Sequence, residues 1–210
     1  VAIAENGKCI ALVEESAEKY IHAEKLHPFI EKVLAESNKT IDDLKGVAVS
    51  NGPGSYTGLR IGISAAKGIC FALNIPMIAL NTNDVLIESV KGQNGKDVFL
   101  SVLDARRNEV YARLYDEQKK PFSEIAAVVL DAESYGHFRH KKLCIVGDAA
   151  EKTAAILTFE NMQVIQKFPS AAEMSQLAEV AFQKQNFVDV AYHEPFYLKD
   201  FIAGTPKKLL

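Results

Sequence analysis

The sequence predicts an α/β protein built from two similar lobes. Over residues 1–90, segments with the character of strands alternate with segments of helical periodicity, beginning with a hairpin. A polar stretch at 91–96 interrupts this pattern, and residues 97–185 repeat it, again beginning with a hairpin. Two blocks of alternating strands and helices are typical of two α/β units. The residues of the two blocks do not match, so the repeat is one of architecture only.

The first lobe begins with a clear turn signal. Asn6-Gly7 favours a tight turn between strands at 1–4 and 9–14. Helical spacing of apolar residues follows in the second half of 16–37, with Pro28 expected in the first turn. The other predicted elements are a capping-box start at Thr40-Ile41-Asp42-Asp43, a strand at 47–50, a helix at 57–73 ended by Asn74 and Pro76, a strand at 77–80 and a helix from 82 to about 90.

The second lobe is predicted from shorter signals. Strands at 98–103 and 110–115 flank the polar turn 104–109, and Ser170 is expected to cap a helix that runs to about Lys184. The remaining elements are a strand at 126–130, a short helix at 132–138, a strand at 143–146, a helix at 149–157 and a strand at 162–165. The tail from 188 onward shows no clear period.

Composition and charge exclude several classes of protein. Hydrophobic residues make up 48% and charged residues 24% of the 210, as in an ordinary globular protein. The net charge of -3 argues against binding nucleic acid unaided, because that affinity requires an excess of Lys and Arg. No apolar run approaches the roughly 20 residues that span a bilayer, so we expect a cytoplasmic protein without membrane contact. Cys9, Cys70 and Cys144 are expected to be buried free thiols.

The most distinctive stretch is 50–62, which reads SNGPGSYTGLRIG between a predicted strand and a predicted helix. A glycine-rich loop at a helix N-terminus is a plausible anion site, because unpaired N–H groups gather there. However, Leu59 stands where the Walker pattern requires Lys, and the dinucleotide pattern lacks its third glycine. The sequence therefore predicts at most a degenerate phosphate loop, consisting of Gly52, Gly54, Ser55 and Thr57.

Signals for a nucleophile or a metal site are weaker. Ser55 lacks the flanking glycine spacing of a Gly-x-Ser-x-Gly elbow. His22 and His27 are five residues apart, which places them on different sides of a helix. The two histidines of 136–142 lie in a basic loop whose charge opposes a cation. We therefore predict no catalytic residue and no metal ligand.

Small residues form a stripe along the predicted helix at 57–73. Gly58, Gly62 and Ala66 are spaced four apart, and glycine inside a helix costs about 1 kcal/mol relative to alanine. Such residues let another element approach closely. That element is either the protein's own sheet or another subunit, and both remain open here. The predicted partner interface consists of Gly58, Arg60, Ile61, Gly62, Ala65, Ala66 and Ile69.

Four segments carry a resemblance to a known family. Residues 50–62 resemble the signature of the TsaB family, also called YeaZ, of bacterial proteins of tRNA threonylcarbamoyladenosine synthesis. HAEKLHP at 22–28 is similar to the family's first-helix segment, and DARRNEVY at 104–111 to its second-lobe hairpin. EPFYL at 194–198 is similar to its C-terminal motif. The four segments follow the family's order and cover nearly the whole chain.

The resemblance implies an actin/hexokinase-like (ASKHA, ribonuclease H-like) fold in which the C-terminal tail returns to the first lobe. On that basis we expect a first lobe of 1–96 completed by 186–210, a second lobe of 97–185, and a further strand before Val1. It also implies a role as a non-catalytic scaffold.

The family's catalytic paralogue is TsaD, which with the ATPase TsaE adds threonylcarbamoyl to N6 of adenosine in tRNAs that read ANN codons. TsaB-like proteins bind TsaD through first-lobe helices and form homodimers when it is absent. By this resemblance, tRNA is contacted only through the complex. ATP and metal belong to TsaD and TsaE, so no cofactor of this chain's own is expected.

Two other functions stay open from the residues alone. One is a small-molecule kinase or glycoprotease-like peptidase of the same fold, which requires tight ligand binding by the isolated chain. The other is a free-standing homodimer with a regulatory function.

Overall fold

A computed structural model describes residues 1–16 and 22–199, and it has the predicted α/β class. The first half contains β1 (Ala2–Glu5), β2 (Lys8–Leu12), α1 (His22–Glu36), β3 (Val47–Gly52), α2 (Tyr56–Leu73), β4 (Met77–Asn81) and α3 (Thr82–Glu88). The second half contains β5 (Val98–Asp104), β6 (Glu109–Tyr115), β7 (Ala126–Val129), β8 (Leu143–Gly147), α4 (Ala150–Leu157), β9 (Met162–Gln166) and α5 (Met174–Gln183). Short 3-10 helices lie at Ile41–Asp43 and Gly136–Phe138.

The second half forms one five-stranded sheet in the order β7-β6-β5-β8-β9. The central strand β5 pairs antiparallel with β6 and parallel with β8, and both of its faces are buried. Leu100 and Ile145 lie in the core cluster that includes residues of α4, whereas Phe99 packs with Ile87 of α3. Strands covered on both faces are expected to be continuously apolar, and Val98–Asp104 has that composition.

The strands of the first half form two separate pairs. β1 pairs antiparallel with β2, and β3 pairs parallel with β4. α2 packs against the second pair, where Ala66 and Cys70 meet Met77 in a small core. In the five-stranded sheet of the second half, β5 lies between an antiparallel pair, β6 and β7, and a parallel pair, β8 and β9. No strand in the described part of the chain joins β1 to β3 in this way.

Most predicted elements are confirmed within one or two residues, and three are corrected. Pro28 lies inside α1 rather than in its first turn, because the helix starts at His22. Its first residues are good helix formers but have no apolar period, so periodicity missed them. α5 starts at Met174, and Ser170 instead donates a hydrogen bond to Glu14 at 2.7 Å. The predicted helix at 132–138 is only the 3-10 turn Gly136–Phe138. Residues 17–21 of the predicted run lie outside the described residues.

The cysteine prediction is right for two residues and wrong for the third. Cys70 and Cys144 are buried, but Cys9 is exposed because β2 is exposed along most of its length; all three thiols are free. Burial raises the pKa of Cys144 to about 11, so this thiol stays protonated at neutral pH. Every helix in the described ranges is too short or too polar to act as a membrane span.

Candidate functional site

The glycine-rich stretch turns the chain from β3 into α2, as predicted. Ser55 is the N-cap of α2, and its hydroxyl accepts a hydrogen bond from the N–H of Gly58 at 3.3 Å. Gly52 has a φ of +114°, a conformation that side chains other than glycine rarely adopt. The other three residues of the predicted phosphate loop, Gly54, Ser55 and Thr57, are exposed.

A C-terminal strap, residues 188–199, crosses this loop. It starts beside β4, where the N–H of Val188 donates to the carbonyl of Met77 at 2.9 Å. Farther along, the N–H of Phe196 donates to the carbonyl of Asn51 at 2.8 Å. The strap then reaches the five-stranded sheet, where Lys199 forms an ion pair with Glu109 of β6. The strap therefore connects the glycine-rich loop to that sheet.

His193 adds a side-chain contact to the same loop. Its Nε2 lies 2.8 Å from Oδ1 of Asn51, and with a proton on Nε2 the ring donates to that oxygen. Burial, and secondarily the charge of Lys67, lowers the pKa of His193 below its ordinary value. The neutral imidazole is thus the form that fits this position.

The close approach of the strap is what requires glycine at position 52. A Cβ added there would lie 2.7 Å from the carbonyl oxygen of Phe196 and 3.2 Å from Cδ1 of Leu59. The backbone of Phe196 therefore occupies the space beside Gly52, whereas Gly54, Ser55 and Thr57 remain exposed. At Gly52, this geometry favours a position that accommodates the strap rather than one that binds a phosphate group.

Gly52→Ala is expected to displace the strap from the loop. The added methyl group meets backbone atoms, and the positive φ adds strain of about 1–3 kcal/mol. Hydrogen exchange followed by mass spectrometry should show faster exchange at Phe196, whose N–H loses its acceptor. Gly54→Ala is the control, because its Cβ would meet only Leu59, at 3.9 Å. Equal exchange in the two variants would contradict the assignment.

Arg60 lies at the start of α2 between two tyrosines. Its Cζ is 4.2 Å from the ring centroid of Tyr56 and 5.9 Å from that of Tyr197. Its Nε donates to the hydroxyl of Tyr197 at 3.0 Å. That hydrogen bond raises the pKa of Arg60 above its ordinary value, so the guanidinium keeps its charge. The two rings are 5.0 Å apart, which places the strap against the first turn of α2.

An open groove of about 770 Å³ runs along the outer side of α2. We call it the α2 groove; it is lined by His27, Ile41, Arg60, Ile61, Ser64, Ala65, Gly68, Ile69, Ala72 and Leu73. Its lining is mainly apolar, with Arg60 at one end. Four residues of the predicted partner interface line it: Arg60, Ile61, Ala65 and Ile69.

The other three predicted interface residues lie elsewhere. Ala66 is only 4% exposed and packs in the first-lobe core, so its assignment to a partner interface is corrected. Gly62 also faces the protein's own sheet, because a Cβ there would lie 3.8 Å from Cγ2 of Val49. Gly58 and Gly62 line a smaller pocket of about 230 Å³ between α1, α2 and the start of the chain. Within the small-residue stripe, Ala66 packs internally, whereas Gly58 and Gly62 line this pocket.

The second-lobe motif 104–111 is held by paired charges. Asp104 accepts a hydrogen bond from the N–H of Arg106 at 3.1 Å, which confirms the predicted turn. The ammonium group of Lys152 pairs with Asp104 and donates to the carbonyl of Glu109 at 2.9 Å. Burial raises the pKa of Asp148, and Oδ1 of Asp148 accepts a hydrogen bond from the N–H of Asp104 at 2.8 Å. These charges satisfy one another and so fix the hairpin.

A partly buried polar network joins α3 to β6, and sequence reasoning missed it. The carboxylate of Asp84 accepts from Nη1 of Arg113 at 2.8 Å and from the hydroxyl of Tyr115 at 2.7 Å. Burial, with the nearby carboxylate, raises the pKa of Tyr115 far above its ordinary value. In the sequence, Arg113 and Tyr115 stand out only as polar residues on one side of β6. That pattern does not identify Asp84 as their partner.

The residues considered as metal ligands are not brought together. Among the described residues, no three His, Cys, Asp or Glu side chains are grouped as a metal site. Cys144 is fully buried in β8, and its pKa is raised. The sequence did not predict the contacts of Tyr197 with Arg60 and of His193 with Asn51. The tail has no periodic pattern from which such contacts could be inferred.

Comparison with known proteins identifies the family. Residues 14–193 match the family model described as TsaD: tRNA N6-adenosine threonylcarbamoyltransferase. The tRNA threonylcarbamoyladenosine biosynthesis protein TsaB of Escherichia coli is 30% identical over 195 residues, covering 87% of this chain and 82% of that protein. The protein of the same name from Haemophilus influenzae is 24% identical over 209 residues, covering 90% and 83%.

Solved structures show the same fold. YeaZ from Pseudomonas aeruginosa superposes with a TM-score of 0.74 at 23% identity, covering 90% of this chain and 94% of that chain. This likeness confirms the predicted fold class. Together with the match over most of the E. coli protein, it shows that the chain belongs to the TsaB family, within the wider group that the TsaD family model matches.

Proposed function

We propose that this chain takes part in tRNA threonylcarbamoyladenosine synthesis as a non-catalytic scaffold that activates TsaD. TsaD is the heterodimer partner, TsaE joins the complex, and tRNA is contacted only through it. ATP and metal are held by TsaD and TsaE. When TsaD is absent, two copies of this chain associate through the α2 groove, to which TsaD otherwise binds. The complex acts in the cytoplasm.

The observation that carries this proposal is the arrangement around α2. At its N-terminus, the carbonyl of Phe196 covers Gly52 of the glycine-rich loop. On its outer side, the same helix lines an open and largely apolar groove. The strap over Gly52 supports a structural use of this end of the loop and so a non-catalytic role. An apolar groove of this size supports docking of another subunit.

The division into lobes is part of the proposal. We assign residues 1–96 and the tail from 186 to the first lobe, and residues 97–185 to the second. The strap supports the first assignment, because the N–H of Val188 donates to Met77 of β4 and the N–H of Phe196 donates to Asn51 near the end of β3. Residues 200–210 of the tail lie outside the described residues. Among the described residues, the two strand pairs of the first lobe are not joined by a strand.

Reconstitution tests the scaffold role. TsaD, TsaE, tRNA, ATP and threonylcarbamoyl-adenylate are incubated with and without the chain, and modified adenosine is measured by mass spectrometry. We expect the product to fall to background without the chain. Equal product in both reactions would show that TsaD needs no scaffold, and the proposal would fail.

A binding measurement separates the scaffold from the enzymatic alternative. A kinase or peptidase of this fold requires its ligand to bind the isolated chain tightly. Isothermal titration of the isolated chain with ATP and Mg²⁺ should therefore give no measurable heat if the chain is a scaffold. Micromolar or tighter binding would favour the enzyme.

A further inference from the structure

Arg60 is presented at one end of the α2 groove as an oriented cation. The ring of Tyr56 lies under the guanidinium, and the hydroxyl of Tyr197 accepts from its Nε. A guanidinium has five N–H donors, and this hydrogen bond uses one of them. A stacked and hydrogen-bonded arginine has already lost much of its rotamer freedom, so less is lost when it binds an anion.

The charged residues of α2 are all basic. From Tyr56 to Leu73 the helix contains Arg60 and Lys67 but no Asp or Glu. Lys67 donates to the carbonyl of Ala191 at 3.0 Å and therefore helps to hold the strap. Arg60 is the cation that lines the groove, whose other lining from Ile61 to Leu73 is mainly apolar. At 1.5 Å per residue, the stretch of α2 from Arg60 to Leu73 is about 20 Å long, or nearly four helical turns.

These features define the chemistry of the occupant. An amphipathic helix of three to four turns would fill the groove with its apolar face. A carboxylate near one end of that face would meet the guanidinium of Arg60, which suits bidentate pairing with carboxylates. A second copy of α2 has no Asp or Glu between Tyr56 and Leu73 and therefore offers no carboxylate to Arg60. The charge of α2 is thus better matched by an acidic helix than by another α2.

We propose that Arg60 receives a carboxylate from a helix of the partner subunit, and that this pairing favours the sister subunit over a second copy of this chain. The inference rests on the proposed function and specifies the partner surface. The apolar lining provides the contact area, and the Arg60 pairing provides the preference between partners.

The test compares Arg60→Gln with Lys32→Gln, which removes the same charge from an exposed position on α1. Affinity for TsaD is measured by calorimetry at low and high salt, and self-association by sedimentation. We expect Arg60→Gln to weaken TsaD binding about 10-fold at low salt, with a smaller difference at high salt. Self-association should not weaken, and Lys32→Gln should bind TsaD like the wild type.

Two further variants separate recognition from a loss of local order. Arg60→Lys keeps the charge but not the bidentate fork, so it should recover only part of the affinity. Tyr197→Phe keeps the ring and removes only the hydroxyl that orients Nε, and it should weaken TsaD binding less than Arg60→Gln does. Thermal unfolding of each variant checks that the fold is kept.

Three outcomes would overturn the inference in distinguishable ways. Equal TsaD binding by wild type and Arg60→Gln would refute the carboxylate contact while leaving the scaffold role intact. An equal loss of self-association would show that a second copy supplies the carboxylate. If the wild-type chain does not bind TsaD at all, the proposed function fails and this inference fails with it.

Discussion

Gly147→Ala is expected to leave the second lobe largely unfolded. Gly147 ends β8 and is buried, with a φ of +143°. A Cβ there would lie 1.8 Å from the carbonyl oxygen and 2.8 Å from the carbonyl carbon of Val102. Val102 belongs to β5, the central strand, so its backbone cannot retreat without breaking the pairing with β6. We expect a loss of about 4 kcal/mol or more, a large part of the roughly 5–15 kcal/mol that stabilises a typical domain.

Circular dichroism and thermal unfolding of the purified variant check this expectation. Gly136→Ala is the matched control, because it adds the same methyl group in the same lobe. There, the nearest contact of the new Cβ would be Oε2 of the flexible Glu133 side chain, at 3.9 Å. We expect the control to melt close to the wild type. A cooperative transition for Gly147→Ala at the wild-type temperature would show that β5 and β8 adapt in a way that the structure does not indicate.

The parts of the fold that local signals control were predictable from the sequence. The hairpin turn at Asn6-Gly7 and the alternation of buried residues in β6 depend on neighbours along the chain. The bounds of β5, β8 and α2 were therefore close to those observed. The start of α5 was predicted too early, because Ser170 has the chemistry of a helix cap but bonds to Glu14.

The contacts of the strap could not be predicted from residue patterns, because they are long-range; only the family resemblance implied that the tail returns to the first lobe. His193 and Asn51 are 142 residues apart, and Tyr197 and Arg60 are 137 apart. Neither pair leaves a periodic signal. The glycine-rich loop therefore suggested a phosphate cradle on its own, and only the position of Phe196 over Gly52 shows what the glycine accommodates.

The faces of α2 were equally hard to assign. A helix made largely of glycine, alanine and isoleucine has little contrast between its inner and outer sides. Spacing alone grouped Gly58, Gly62 and Ala66 as a surface for another subunit. In the structure Ala66 is buried and Gly62 faces Val49, whereas Gly68 is open to the α2 groove.

Gly68→Trp is accordingly the variant expected to weaken docking most while keeping the chain folded. Nothing lies within 4 Å of a Cβ added at Gly68, so the indole can extend into the groove without displacing the protein's own atoms. Replacing a glycine inside a helix also removes a propensity cost of up to about 1 kcal/mol. Filling the space that a partner helix needs should weaken association about 10- to 100-fold. Affinity for TsaD by calorimetry, and the melting temperature, measure the two effects separately.

Gly92→Trp provides the control for a large exposed aromatic residue. Gly92 also has nothing within 4 Å of an added Cβ, but it lies in the exposed segment between α3 and β5 rather than on α2. Both variants should melt at or near the wild-type temperature, and only Gly68→Trp should lose TsaD. Gly62→Leu should instead lower the melting temperature, because the larger side chain meets Val49 of the protein's own sheet. If Gly68→Trp binds TsaD as the wild type does, the docking surface lies elsewhere than the α2 groove. If Gly62→Leu loses binding without loss of stability, the inner stripe contacts the partner after all.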